Sequence, residues 1–498
     1  MNMVRVSGLA SGMDIDEIVK SMMQAERVPL DKLTQKKQYS EWQRDDYRSV
    51  NTALSELDTL IKDGIGKQSS FIKKTVTVSN PNAISIKNIN STTDFAGTIE
   101  VKNLAVAATM KNHTSLSLNS TDKLIAEGTA EKEIYIQAID KNGELGERKK
   151  LTITAEDTLD SLISKINSNT DVTAFYDKQS GQMSFTAKNT GEIADKAEII
   201  FAGDFFTETL MMDADNKIAK DNERGTSGIN ATLTYNGLEI KRSSNVINLN
   251  GAEFTLKEKT EGPVTFSSKA DVDTILDTVT QFVNKYNEII KKIQDKTTET
   301  KYRDYAPLTT EQKKELSEDE VKLWEEKAKS GTLKNDSTLK SLLTTMRSSL
   351  YTSVSGITGN NTLSKLGITT TSNYLEGGKL TIDEDKLRAA ISQDPNAIYK
   401  LFMSEGNGTE KSSQGLARRL RADIQSSMKV ITEKAGKAGY VNNNFTIGKA
   451  VNGLDTRIST FEAKLVKLET RYYNQFTAME KAISKANSQS SSLSQYFS

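Results

Sequence analysis

The spacing of apolar residues changes twice along this chain, from helical to alternating and back, so no single kind of secondary structure can run through it. Near the start, Asp14 with a carboxylate at Glu17 reads as a helix N-cap, and Ile15, Ile18, Val19 and Met22 follow at helical spacing. Pro29 then interrupts, because proline lacks an amide donor and crowds the preceding turn. A second helix is predicted beyond it, with Tyr47, Val50, Leu54, Leu57 and Ile61 on one face and Gly64 and Gly66 at its end. From about Lys73 to Lys269 the period is two: Val76/Val78, Ile84/Ile86 and Ile99/Val101 alternate with polar residues. Asn142-Gly143, Asn236-Gly237 and Asn250-Gly251 supply turn dipeptides suited to hairpins. One helix is expected inside this region, with Leu159, Leu162, Ile163 and Ile166 on a face behind a cap at Asp157 or Thr158. It leads into a hairpin that turns at 177–181.

Helix returns at Asp271, where Val272, Ile275, Val279, Phe282, Tyr286, Ile289 and Ile293 form a broad stripe. Two capping boxes, Thr309 with Gln312 and Ser317 with Glu320, precede a charged helix around Trp324. A hairpin with Gly377-Gly378 at its turn leads to caps at Asp383 and at Asp394-Pro395. From Asp455, residues Ile458, Phe461, Leu465, Leu468, Tyr472, Gln475, Met479, Ile483 and Ala486 step by three and four. That predicts a terminal helix of about 50 Å. The five prolines fall where the period changes. The expected architecture is multidomain α+β. Coiled-coil-like helical legs span 1–45 and 450–498, and a mainly helical domain with a β-hairpin spans 46–72 and 271–449. An inserted antiparallel β-rich head spans 73–112 and 226–270, and a second such head, 113–225, is nested within it.

The two terminal stripes carry Ile15, Ile18 and Met22 at one end and Leu465, Leu468, Tyr472, Met479 and Ile483 at the other. An apolar seam needs a cover. An ordinary intramolecular core accounts for these stripes as well as contacts with other molecules do. The reading adopted is that the termini pack on each other and on neighbouring copies, ordering fully only on binding.

Chemistry has little to work with. One histidine, His113, between polar runs reads as an exposed turn residue and leaves acid–base catalysis by histidine without material. With no cysteine, thiolate chemistry, disulfides and cysteine zinc sites are excluded. The run from Asp213 begins like a calcium loop, but Ile218 and Arg224 stand where a glycine and a bidentate glutamate belong. Asp383, Glu384 and Asp385 open a helix and complement its dipole. Lys+Arg and Asp+Glu are both 66, which argues against a nucleic-acid or anionic-membrane binder. The first thirty residues hold no apolar signal-peptide core and no membrane span. No catalytic, metal or cofactor site is expected.

Gly8-Leu9-Ala10-Ser11-Gly12-Met13-Asp14-Ile15-Asp16, with Ala25-Glu26-Arg27, Pro29-Leu30 and Glu41-Trp42-Gln43-Arg44, resembles the start of the flagellar hook-associated protein 2 family, the filament caps. Leu308–Gly331 continuing to Leu339, and Leu366-Gly367-Ile368-Thr369 with Gly378-Lys379-Leu380 and Asp383–Leu387, are similar to the family's middle. Phe476–Ala482 with Asn487–Ser491 resembles its tail, and the unit around Thr158–Gly191 resembles a β-rich module of hook-filament proteins. The family often has a tryptophan after its Gln-Ser-Ser run. Here Ser492 and Leu493 stand there, which puts the tail's apolar anchor on Leu493, Tyr496 and Phe497.

The resemblance implies a ring-shaped homo-oligomer, a pentamer in preference to a hexamer, at the distal filament tip. There it would guide insertion of exported flagellin and so be required for filament elongation and motility. Hook-filament junction proteins and an export chaperone would be further partners, and export would follow the flagellar type III route without a cleavable signal peptide. The alternative is an adhesin whose β-rich head binds host mucin or glycan.

Overall fold

The computed structural model describes residues 12–212, 225–408 and 410–497. The Gly8–Ser11 part of the opening motif and the calcium-like stretch 213–224 lie outside the described residues, as do the side chains of Tyr496 and Phe497. The chain divides into two compact units, one from 1–71 with 273–498 and one from 72–272.

The first unit begins with α1, Ile15–Leu60, whose first turn is closed by Asp14 Oδ1 accepting from the Glu17 amide at 3.0 Å. Pro29 does not interrupt it, contrary to expectation: α1 is one helix of 46 residues with the proline inside. A proline costs a helix interior about 3 kcal/mol relative to alanine. Tertiary packing outweighs that here, since Val19 and Leu30 are buried on either side of it. A π-type turn, Ile61–Ile65, follows before Gly66.

Among the described residues the second unit contains fifteen strands. In chain order they are β1 Lys74–Val78, β2 Ile84–Asn88, β3 Ala96–Asn103, β4 Thr109–Lys111, β5 Lys132–Ala138 and β6 Lys149–Ile153. Next come α2 Leu159–Asn169, β7 Val172–Asp177, β8 Gln182–Ala187, β9 Ile199–Ala202 and α3 Asp204–Glu208. The unit ends with β10 Gly225–Thr226, β11 Ala231–Tyr235, β12 Leu238–Arg242, β13 Val246–Leu249, β14 Ala252–Leu256 and β15 Val264–Ala270. A sheet in the order β1-β15-β3-β11-β12 and a smaller one, β13-β14-β2, enclose a core that includes Phe254 and Phe266, rings 5.3 Å apart and edge-on. A separate core lies among β10-β4-β8-β7, β6-β5-β9 and α2, where Phe185 and Phe206 flank Phe201. Asn236-Gly237 and Asn250-Gly251 make the β11–β12 and β13–β14 turns, with φ of +48° and +85° and of +48° and +79°. Those signs at both positions define the turn that matches strand twist. Thr158 rather than Asp157 caps α2, through a reciprocal box with Ser161.

The first unit resumes in α4, Val272–Thr298, whose stripe from Ile275 to Ile293 is buried. Both predicted capping boxes form, starting α5 Thr310–Glu315 and α6 Glu318–Lys329. Then follow α7 Ser337–Tyr351, the hairpin β16 Ile368–Thr370 and β17 Leu380–Ile382, α8 Glu384–Gln393 and α9 Pro395–Met403. Next is α10, Leu416–Ala435, and last α11, Thr446–Phe497. The terminal helix has 52 residues where about 33 were expected, so at 1.5 Å a residue it is about 78 Å long. Position 45/46 falls inside α1 and position 449/450 inside the first turns of α11.

Candidate functional site

The two terminal helices pack along each other. Lys37 Nζ lies 2.6 Å from Asp455 Oδ1, Tyr472 Oη donates to Glu26 Oε1 at 3.2 Å, and Tyr473 Oη donates to Asp16 Oδ1 at 2.8 Å. Positions fall on α11 as they rise on α1, so the pair is antiparallel. The polar rim fixes register, while burial of each leucine-sized side chain along the seam contributes about 1.5–3 kcal/mol.

The nine candidate contact residues are treated unequally. Ile15 and Leu465 are buried within the chain. Ile18, Leu468, Tyr472, Met479 and Ile483 are half-buried. Met22 and Leu493 are exposed, at 37% and 58% of their surface. The structure therefore joins Ile15 and Leu465 to the intramolecular seam and leaves Met22 and Leu493 open. From Lys481 to Gln495 every residue except Ile483 is exposed. Val28 and Val466 are further exposed apolar side chains on the same two helices, which periodicity missed because they sit off the stripe.

The root of the pair is fixed by a polar node among α1, α7 and α10. Tyr47 is fully buried; its hydroxyl donates to Asp336 Oδ2 and receives Lys434 Nζ. Lys434 Nζ also reaches Asp336 Oδ2 at 3.0 Å, and Asp336 Oδ1 caps α7 by accepting from the Leu339 amide at 3.0 Å. Burial acts to raise the Asp336 carboxyl. The Tyr47 hydroxyl, the Leu339 amide and the Lys434 ammonium together outweigh it and hold the carboxyl below the ordinary aspartate value. Burial, and then the carboxylate beside it, push the Tyr47 hydroxyl well above its usual range, so it stays a donor. Arg48 Nε donates to the last carbonyl of α10, Ala435, at 2.9 Å, and Arg421 reaches Asp58 at 2.8 Å. The α10 helix was not anticipated, although Leu416, Leu420, Ile424 and Ile431 form its buried face.

His113 is exposed, and its amide donates to the Met211 carbonyl. Asp383 caps α8 by accepting from the Lys386 amide at 3.2 Å. Among the described residues no group of three or more His, Cys, Asp or Glu is placed to hold a metal ion, and no helix is long and apolar enough to cross a membrane.

Comparison with known proteins gives the same picture from sequence and from fold. The profile of the flagellar hook-associated protein 2 N-terminus matches residues 11–108, that of its C-terminus matches 228–488, and a flagellin hook IN motif matches 133–189. The flagellar hook-associated protein 2 of Halalkalibacterium halodurans is 33% identical, over 99% of this chain and 100% of its own. That of Escherichia coli K12 is 25% identical over 98% and 97%. The crystal structure of the D1-D2-D3 domains of the E. coli flagellar cap protein FliD superposes with a TM-score of 0.58 at 24% identity, covering 82% of this chain and 99% of that one. With a relative this similar along its whole length, this chain belongs to the flagellar hook-associated protein 2 family.

Proposed function

We infer that this chain is a filament cap, placed at the distal tip of the bacterial flagellum, where it guides exported flagellin into the growing filament. The observation that carries this is family membership spanning the chain end to end. The antiparallel terminal helices supply the legs, and the exposed stretch from Lys481 supplies a surface that remains open for the filament. Met22 and Leu493 are the residues of the candidate set best placed to touch other molecules, with Ile18, Leu468, Tyr472, Met479 and Ile483 reaching them from the seam's edge. The copies assemble as a ring, a pentamer in preference to a hexamer. The division of labour follows the segments 1–45 with 450–498, 46–72 with 271–449, 73–112 with 226–270, and 113–225. Junction proteins and an export chaperone are its other partners, and the flagellar type III route exports it without cleavage of a signal peptide. The adhesin alternative draws no support from the relatives found.

Electron microscopy of the purified protein, alone and with flagellin, tests this. Closed plates that seed filament growth are expected. Long filaments of the pure protein, or monomers that leave flagellin polymerisation unchanged, would overturn it.

A further inference from the structure

We propose that neighbouring copies of this chain join through a tyrosine-lined recess on the helical unit, which receives the acidic first turn of α6 from the next copy. The proposal rests on the ring assembly inferred above and names a contact that closes it. The recess is walled by Tyr39 of α1 and by Tyr302 and Tyr305 of the loop that follows α4, with Lys36, Lys301 and Arg303 around it. It is held rigidly. Tyr39 Oη donates to the Gly331 carbonyl at 3.3 Å, Gln43 Nε2 to the Thr332 carbonyl at 2.9 Å, and Trp324 Nε1 to the Ala306 carbonyl at 2.8 Å. The Tyr305 ring lies 4.6 Å from that of Trp324. Gly331, at φ +74°, lets the loop close: a Cβ there would stand 2.7 Å from Lys301 Cβ.

The charges of this recess are unspent. Lys36, Lys301 and Arg303 are exposed and form no ion pair among the described residues; Lys301 only lies over the Tyr39 ring, at 4.5 Å. Asp304 in the same loop leaves the rim basic. The complementary charge is also in this chain. Glu318 and Asp319 open α6, are exposed, and form no ion pair among the described residues, whereas Glu320 is engaged by Ser317 in the capping box. The recess takes in Ala328 and Ser330 at the other end of α6. A helix of 12 residues separates the two by about 18 Å, so one copy cannot bring its own acidic turn to its own recess.

The helix dipole accounts for an acidic start and a basic finish on α6 itself. It does not account for Lys36, Lys301 and Arg303, which lie off that helix and gather around tyrosines. Tyrosine and arginine on a rigid, partly apolar surface are the composition of an interface centre. A contact between two different patches of identical chains is head-to-tail, and it generates a ring when the rotation closes.

Sedimentation of the full chain tests this. Reversing one patch, K36E/K301E/R303E or E318K/D319K, is expected to raise the concentration for half-assembly by about tenfold or more, and combining both sets in one chain to restore it. The chain has no native cysteine, so R303C/D319C offers a second readout: mild oxidation should give a ladder of cross-linked copies rather than a monomer band. If the unaltered chain never assembles, the ring reading and this contact fall together. If it assembles and the reversals assemble equally well, or cross-linking stays within one chain, only this contact is overturned. The same holds if the reversals spare the ring but weaken flagellin binding, which would make flagellin the occupant.

Discussion

Tyr47, Asp336 and Lys434 form a partly buried triad in which removing each member has a different cost. Tyr47→Phe leaves Asp336 with the Leu339 amide and Lys434, and should cost about 1 kcal/mol in urea unfolding. Asp336→Ala removes the α7 cap and strands two donors, and should cost about 2 kcal/mol, a value held down because Lys434 is partly open to water. Asp336 is held below its unfolded value, so its contribution is complete above about pH 4 and is lost as the pH falls through the lower folded value. Asp336→Asn should therefore flatten the acid limb of stability against pH. Arg419 behaves differently. It is buried and its Nη2 meets the Thr352 carbonyl; among the described residues its Nε has no hydrogen-bond partner and no carboxylate lies within ion-pair reach. Burial, only partly offset by Asp423, lowers its affinity for the proton. Arg419→Met should be neutral or stabilising within about 1 kcal/mol, whereas Arg419→Ala should cost about 3 kcal/mol through the cavity it opens.

Among the elements, α1 shows where local rules yield to packing. Pro29→Ala restores an amide donor in mid-helix and should stabilise the terminal pair by up to about 3 kcal/mol, with slower amide exchange at the residues around position 29 as the readout. Strands, turns and caps were legible because each is written in a few adjacent residues: Asn236-Gly237 demands its turn, and Thr309 with Gln312 demands its cap. The full extent of α11 was not, because Gly448 and Gly453 argue against helix. In the structure Gly448 is needed inside one, since a Cβ there would lie 2.3 Å from the Asn442 carbonyl oxygen. The buried arginine of α10 likewise masked an otherwise regular stripe. Of the candidate contacts, periodicity found the seam but could not sort Ile15, which is covered, from Met22, which is open; that depends on the register between two helices far apart in sequence.

For the molecule as a whole, the unit 72–272 contains two cores of its own and both of its flanking strands. The fragment 72–272 should fold alone, with a cooperative thermal transition in calorimetry, and should not support filament elongation in cells lacking the full chain. Its first and last strands pair with each other, Lys74 opposite Ala270, and the nested part repeats the arrangement, Thr109 beside Met110 in β4 lying opposite Thr226 and Gly225 in β10. Chain crossings that sit side by side, about 5 Å apart, leave a gap that a short linker can bridge. Whole cassettes between those crossings can thus be traded, shortened or decorated without rethreading the helices. Variation among bacteria, and any grafting of new peptides onto the flagellar tip, should concentrate there.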